Sequence, residues 1–281
     1  APVFDPSKLK PAETSFVYDE YGNIIAELHG EQNRIPIDFD DIPQNLKDAF
    51  VAIEDQKFYN HKGINVYSII GALWSDIVRG GYHRGASTIT QQLVKNAFLT
   101  QEKTLKRKAQ EAWLAIQLER HYTKDDIFEF YLNRIYFGHS AYGVEAAAQT
   151  YFGKSVKEVT LAEAAMLAGI TNNPSIYSPF INFDKAKERQ EIVLNSMVEI
   201  GVISQEEAKK AKAVEIKLQS QQNVKADYKA PYFTDYVIQE VVADLQKELG
   251  ITQDEAFDKI YSEGLRIYTT LDIDIQEAAE K

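Results

Sequence analysis

Apolar positions along this chain recur with two periods, one short and one long. The short one, close to two, runs through Ser15-Phe16-Val17-Tyr18 and through Ile24-Ile25-Ala26-Glu27-Leu28. With the turn residues Asp19 to Asn23 between them, these runs predict a hairpin, and Gly22-Asn23 supplies its turn chemistry. The same alternation returns in the β-branched run from Leu265 to Leu271, read as a strand. From Leu46 the period becomes helical, with Leu46, Ala49, Phe50 and Ile53 on one stripe. Further helices are predicted over residues 104–122, 124–137, 143–152, 161–170, 184–200, 205–213 and 231–249. Turns at Gly138, Gly153, Pro174, Pro179 and Gly201 separate those in the middle of the chain. In the 104–122 helix, Leu105, Ala109, Ala112, Trp113 and Ile116 read as the inward face, with Arg107, Lys108 and Glu111 on the polar side.

Residues 64–78 are the most apolar stretch, and Val66, Ile69, Ile70, Leu73, Trp74 and Ile77 exceed what one helix face needs. Two readings stand: a buried core helix, or a helix dipping into a lipid headgroup layer with Trp74 as its interfacial anchor. The basic, glycine-rich residues 79–85 that follow are a lid hinge or a plain connector. Residues 1–13, with three prolines and no apolar period, read as a tail, and residues 219–223 as a linker.

At 281 residues, 44% hydrophobic and 26% charged, the chain has room and apolar content for one large folded domain with flanking pieces. Its net charge of −11 argues against nucleic acid as the main partner. Without cysteine there is neither a disulfide framework nor a thiolate metal site. His29, His83, His121 and His139 show no ligand spacing, so no structural metal is predicted. No run of eighteen apolar residues and no signal-like start is visible.

Candidate chemistry concentrates between Ala49 and Glu111. Glu54 lies at the edge of its helix's apolar stripe, either as a boundary side chain reaching water or as a partly desolvated carboxylate with a raised pKa. Thr88 and Gln91 have capping-box spacing, which makes a plain cap or an anion-binding helix end. Arg107 and Lys108, one turn before Glu111, form a surface ion-pair cluster or a charged site. Two carboxylates at the ends of a segment rich in hydroxyls, amides and cations are the inventory for moving a sugar off a phosphorylated carrier.

Five runs, in order, carry a resemblance: Glu54 to Gly63, Gly85 to Gln92, Arg107-Lys108-Ala109-Gln110-Glu111, Ile127 through Asn133, and Arg189 to Leu194. Together they resemble the motifs of the peptidoglycan glycosyltransferase family, as found in class A penicillin-binding proteins. Gly264 to Asp272 is similar to the lead-in to a transpeptidase domain, although no Ser-x-x-Lys motif occurs. The resemblance implies a mainly α fold, with a lysozyme-like lobe, a smaller membrane-dipping lobe and a small α+β linker domain. The implied division is residues 1–13 as a tail after a membrane anchor, 14–43 as a hairpin joining the linker domain, 44–214 as the glycosyltransferase domain, and 215–281 as the linker toward a transpeptidase domain. The hairpin is expected to pair with the strand at Leu265 to Leu271.

What the resemblance implies for function is processive, inverting polymerisation of lipid II into β-1,4 glycan on the outer face of the cytoplasmic membrane. Residues 64–78 would touch the bilayer. Lipid II, the growing glycan strand and cell-wall synthesis proteins would be the partners, and moenomycin-type compounds the inhibitors. Glu54 carries over as general base and Glu111 as the second carboxylate. Lys95, Lys103, Arg107 and Lys108 match cationic positions that offset the leaving pyrophosphate, Lys103 standing where arginine is equally expected. Ser87, Gln91 and Gln92 would line the groove, with Asp55, Phe58, His61, Asn133 and Arg189 in support. Asp55 either orients its loop or meets a divalent ion; Mg²⁺ or Mn²⁺ with the pyrophosphate is compatible, and no organic cofactor is implied. A lysozyme-like hydrolase or lytic transglycosylase would need a protonated carboxyl and has no use for the cations. A catalytically dead peptidoglycan-binding module would not need Glu54.

Overall fold

The computed structural model describes residues 4–9, 12–30, 33–66, 87–99, 104–219, 230–251 and 253–279. Strands β1 (Ser15–Tyr18) and β2 (Ile24–Leu28) form the antiparallel hairpin that the alternation predicts. Asp19 builds its turn: Oδ1 accepts the N–H groups of Tyr21 and Asn23 at 2.9 and 2.7 Å, and Gly22 takes φ of 82°. After β3 (Asn33–Arg34) come the helices α1 (Gln44–Glu54), α2 (Ile89–Phe98), α3 (Leu105–His121) and α4 (Lys124–Leu132). The short strand β4 (Ala141–Tyr142) precedes α5 (Val144–Phe152), α6 (Leu161–Ile170), α7 (Pro174–Tyr177), α8 (Phe183–Glu199) and α9 (Gln205–Ala213). The chain continues through α10 (Pro231–Leu249), α11 (Gln253–Ser262), β5 (Arg266–Tyr268) and α12 (Ile273–Ala279). The class is mainly α, as expected. Four of these helices, α2, α4, α6 and α9, open with a full capping box, on Thr88, Thr123, Thr160 and Ser204. Their starts are therefore set by local sequence.

The larger core runs from Leu9 to Ile216 and is centred on α6. That helix reads LAEAAMLAGI, apolar or small on nearly every face, and all of it except Leu161 is buried. Small residues let its neighbours approach closely: a Cβ on Gly169 would sit 3.0 Å from Arg189 Cγ of α8. A second core joins Val17, Ile25 and Leu28 of the hairpin to Val237, Ile238 and Val242 of α10, Ala256 and Ile260 of α11, and Leu271. Its sheet has the order β2-β1-β5, with β5 parallel to β1 in the register Phe16↔Arg266 to Tyr18↔Tyr268. The expected pairing of hairpin and late strand is thus present. β3 ties the hairpin side to the larger core by pairing with β4, and Thr14 N–H donates to Arg34 O at 2.8 Å.

Several expectations are corrected. α4 stops at Leu132, five residues short, because Asn133 caps it and its side chain exchanges hydrogen bonds with the Ile37 backbone in both directions at 2.9 Å. Residues 4–9 are not a free tail: Leu9 is buried, and Phe4 stacks on His121 with centroids 5.0 Å apart. The helix α11 was not foreseen. On α3 the inward face is reversed. Leu105 is 91% and Trp113 39% exposed, Ala109 is exposed, and Ala112 and Ile116 are half-buried. The buried residues are Glu111, Leu114, Ala115 and Leu118. A charged residue can face inward here because every donor it needs is supplied at the site. Most of residues 64–78, the glycine-rich 79–85 and all but Gln219 of the 219–223 linker lie outside the described residues.

Gly63 seats its turn directly on α3. A Cβ there would lie 2.7 Å from the carbonyl carbon and oxygen of Ala115, at φ of 92°. Gly63→Ala is expected to cost about 2–4 kcal/mol by chemical denaturation. Gly201→Ala, at φ of 78° but in open space, should cost only about 1 kcal/mol.

Candidate active site

α2 positions most of the candidate residues. Thr88 is its N-cap, and its capping box uses both ends of one amide. Gln91 Oε1 accepts the Thr88 N–H at 3.1 Å, which leaves Gln91 Nε2 to donate to Glu111 Oε1 at 3.2 Å. The next residue serves the other carboxylate: Gln92 Nε2 donates to Glu54 Oε2 at 2.8 Å. Gln92 Oε1 in turn accepts the Tyr131 hydroxyl at 3.3 Å, which fixes which way the amide is turned. Adjacent residues of one helix therefore hold the two acids, each through a neutral N–H₂.

The two acids have different surroundings. Glu54, the last residue of α1, accepts from Gln92, with Thr171 and Arg189 near enough to act on its charge. Burial nevertheless dominates and pushes its carboxyl above the ordinary range, against the opposing pull of Gln92, Arg189 and Thr171. Arg189 packs its stem on Gly169 and carries its guanidinium 5.8 Å over the Tyr177 ring, and its Nε is buried without a hydrogen-bond partner among the described residues. Glu111 is wrapped by cations instead. Arg107 NH1 donates to Oε2 at 3.1 Å and Lys108 Nζ to Oε1 at 2.5 Å, and Lys108 also reaches Ser87 Oγ at 2.8 Å. Arg107 Nε is likewise buried without a hydrogen-bond partner among the described residues. Lys95, in the last turn of α2, makes no ion pair with any described residue.

Asp55 and His61 form the floor under α2. Asp55 Oδ2 accepts the N–H of Ile89, the first residue of α2, at 3.0 Å and His61 Nε2 at 2.8 Å. His61 Nδ1 accepts the Gly63 N–H at 3.2 Å, so the ring proton belongs on Nε2. Phe58 is fully buried beside Phe128, with centroids 5.2 Å apart. Of the two readings for Asp55, the contacts are those of an orienting group. Oδ2 is shared between two donors, and among the described residues there is no cluster of three or more acidic or histidine side chains fit for a metal. Asn133 stands apart from the acids, holding Ile37 and, through its carbonyl, Arg34 NH1 at 3.1 Å. Lys103 lies outside the described residues. Sequence reading missed Thr171 and the hydroxyl of Tyr131 as partners around Glu54. Nothing local marks either one, since α4 and α6 bring them in from 77 and 117 positions beyond it.

Comparison with known proteins supplies the class. A family model described as Transglycosylase matches residues 21–198, and the chain belongs to that family. Its relatives are penicillin-binding proteins. It is 42% identical to penicillin-binding protein 1A/1B of Bacillus subtilis over 100% of this chain and 30% of that protein. Against penicillin-binding protein 1A of Haemophilus influenzae it is 42% identical over 94% of this chain and 30% of the relative. For penicillin-binding protein 1A of Escherichia coli the figures are 40%, 94% and 30%. The chain thus spans about a third of the length of these relatives. Among the described residues no helix is long and apolar enough to cross a membrane.

Because the folded chain holds the Glu54 proton more tightly than the unfolded chain does, the stability from this group is complete below about pH 4, the unfolded carboxylate range. It is lost as pH rises through the higher folded value. Glu54→Gln is therefore expected to raise the Tm at pH 7, with an advantage that shrinks as pH falls toward about 4, read by thermal unfolding across pH.

Proposed function

We propose that this chain is a peptidoglycan glycosyltransferase that polymerises lipid II into β-1,4 glycan with release of undecaprenyl pyrophosphate. The observation that carries this reading is the unequal environment of two acids held by neighbouring glutamines. Glu54 takes its hydrogen bond from the neutral Gln92 amide, with Arg189 acting on its charge but making no ion pair with it, and its carboxyl is raised by burial, while Glu111 anchors Arg107 and Lys108. An acceptor hydroxyl is a poor nucleophile and needs a base; a carboxylate of raised pKa is a stronger one. A pyrophosphate leaves as an anion and needs positive charge rather than a proton donor.

In this mechanism Glu54 takes the proton of the acceptor's 4-hydroxyl as its oxygen attacks the anomeric carbon of the donor sugar. The bond from that carbon to the phosphate oxygen breaks on the opposite face, so the configuration inverts. Arg107 and Lys108, held in place by Glu111, and Lys95, which has no ion-pair partner among the described residues, offset the charge that collects on the pyrophosphate. The Lys108 contact with Ser87 at 2.8 Å extends the cationic side to the start of α2. Any Mg²⁺ or Mn²⁺ would be held by the pyrophosphate's own oxygens, and no step here depends on it. The reading places the chain at the outer face of the cytoplasmic membrane, with the growing glycan strand and cell-wall synthesis proteins as partners and the segment 64–78 against the bilayer.

The raised carboxyl of Glu54 would equally serve a lysozyme-like hydrolase as its proton donor. The cations around Glu111 speak for transfer, because a sugar leaving group carries no such charge. Labelled lipid II in detergent separates the two. Wild type is expected to build long glycan, and Glu54→Gln to be slower by about 10²–10⁴-fold. Cleavage of preformed glycan by wild type, with lipid II untouched, would mean that the hydrolase reading is right.

A further inference from the structure

Thr90, Glu119 and Lys124 form a buried polar group with no part in the chemistry described so far. The Thr90 hydroxyl donates to Glu119 Oε1 at 2.7 Å, and Lys124 Nζ donates to the same oxygen at 2.6 Å. The side chains of Glu119 and Lys124 are 7% and 19% exposed. Lys124 also lies 3.5 Å from His61 Nδ1 and 4.5 Å over the Phe58 ring. The group therefore locks α3 and α4 to the turn that follows α1.

Along the first turn of α2, four consecutive residues meet four different carboxylates. Ile89 N–H reaches Asp55 at 3.0 Å, the Thr90 hydroxyl Glu119 at 2.7 Å, the Gln91 amide Glu111 at 3.2 Å and the Gln92 amide Glu54 at 2.8 Å. Successive helical side chains diverge by about 100°, so the three side-chain contacts spread over about 200° of the helix. The Ile89 contact is made by backbone and fixes where the helix begins. The Thr90 contact is made by a short, β-branched side chain to an acid that Lys124 already holds, so it fixes rotation about the helix axis. A turn of α2 that released Thr90 would swing both glutamine amides away from their acids. A buried ion pair is a weak source of stability.

We propose that Thr90, gripped by Glu119 and Lys124, is a positioning residue for the transfer reaction, setting the rotation of α2 at which Gln92 and Gln91 present their amides to Glu54 and Glu111. This rests on the reading of Glu54 as the base. Thr90→Val is nearly isosteric and leaves Glu119 paired with Lys124; Thr90→Ser restores the hydroxyl. Two readouts are needed: lipid II polymerisation at steady state, and the titration of the Glu54 carboxyl followed by NMR without turnover. The groups facing Glu54 in that titration are Asp55 beside it, Gln92 of α2, Tyr131 of α4, Thr171 after α6 and Arg189 of α8. Thr90→Val is expected to lower kcat by about tenfold to a hundredfold with KM changed by less than about twofold. It should also move the Glu54 midpoint upward as the Gln92 donor is lost, and Thr90→Ser should restore both. Thr90→Ala, which adds no bulk, must show the same split. If the Val and Ala variants lose Tm but keep the wild-type kcat, KM and Glu54 titration, Thr90 is a core hydroxyl and the proposal is wrong. Wild type inert toward lipid II would remove the transfer reading alone, since the Glu54 titration still decides the role of Thr90.

Discussion

A buried carboxylate has to be met by donors, and in this chain the first turn of α2 supplies them. A helix N-terminus has spare N–H groups and a favourable dipole for negative charge. Here Asp55 takes the first backbone N–H, and the side chains of the next three residues each take a further acid. The turn is itself held rigid by the capping box between Thr88 and Gln91 and by the Thr88 hydroxyl on Gly63 O at 2.6 Å. If that turn were loose, each of the four acids would lose the α2 donor that meets it, at about 1–3 kcal/mol for any group left unsatisfied. Rigidity of the site and stability of the lobe are thus one requirement.

The same arrangement gives the two acids different surroundings. Gln91 and Gln92 are chemically identical, but the helix points them to different sides, one toward a carboxylate ion-paired with Arg107 and Lys108 and one toward a carboxylate dominated by burial, with Arg189 acting on it without an ion pair. Burial raises the pKa of the second, while the first serves to fix cations that would otherwise move freely on long stems. A base and an anion-binding edge are needed on opposite sides of a sugar undergoing inversion. Two acids in distinct electrostatic settings fit that demand better than two in equivalent ones.

Much of the fold is legible in the sequence because it rests on local rules. The hairpin, the helix starts at Thr88, Thr123, Thr160 and Ser204, and the span of α10 follow from alternation, caps and periodicity. The misreadings share a cause. Periodicity assigns the apolar side of α3 to the core, yet Leu105 and Trp113 are exposed and Glu111 is buried, because the acid's donors come from another helix. α4 ends early because Asn133 prefers a partner in the Ile37 backbone, 96 residues away in sequence.

For the candidate site, the sequence by itself determined the inventory: the motif order, the carboxylates Glu54 and Glu111, the cations beside Glu111, and the family they resemble. Residue type and spacing carry that information, since i, i+3 and i, i+4 neighbours on a helix are neighbours in space. Only the tertiary structure decided which acid is desolvated, which amide meets which acid, and that Thr90, Thr171 and Tyr131 stand among the partners. Those facts depend on how α1, α2, α3, α4 and α6 pack around one another, and contacts between distant segments leave no trace in local periodicity.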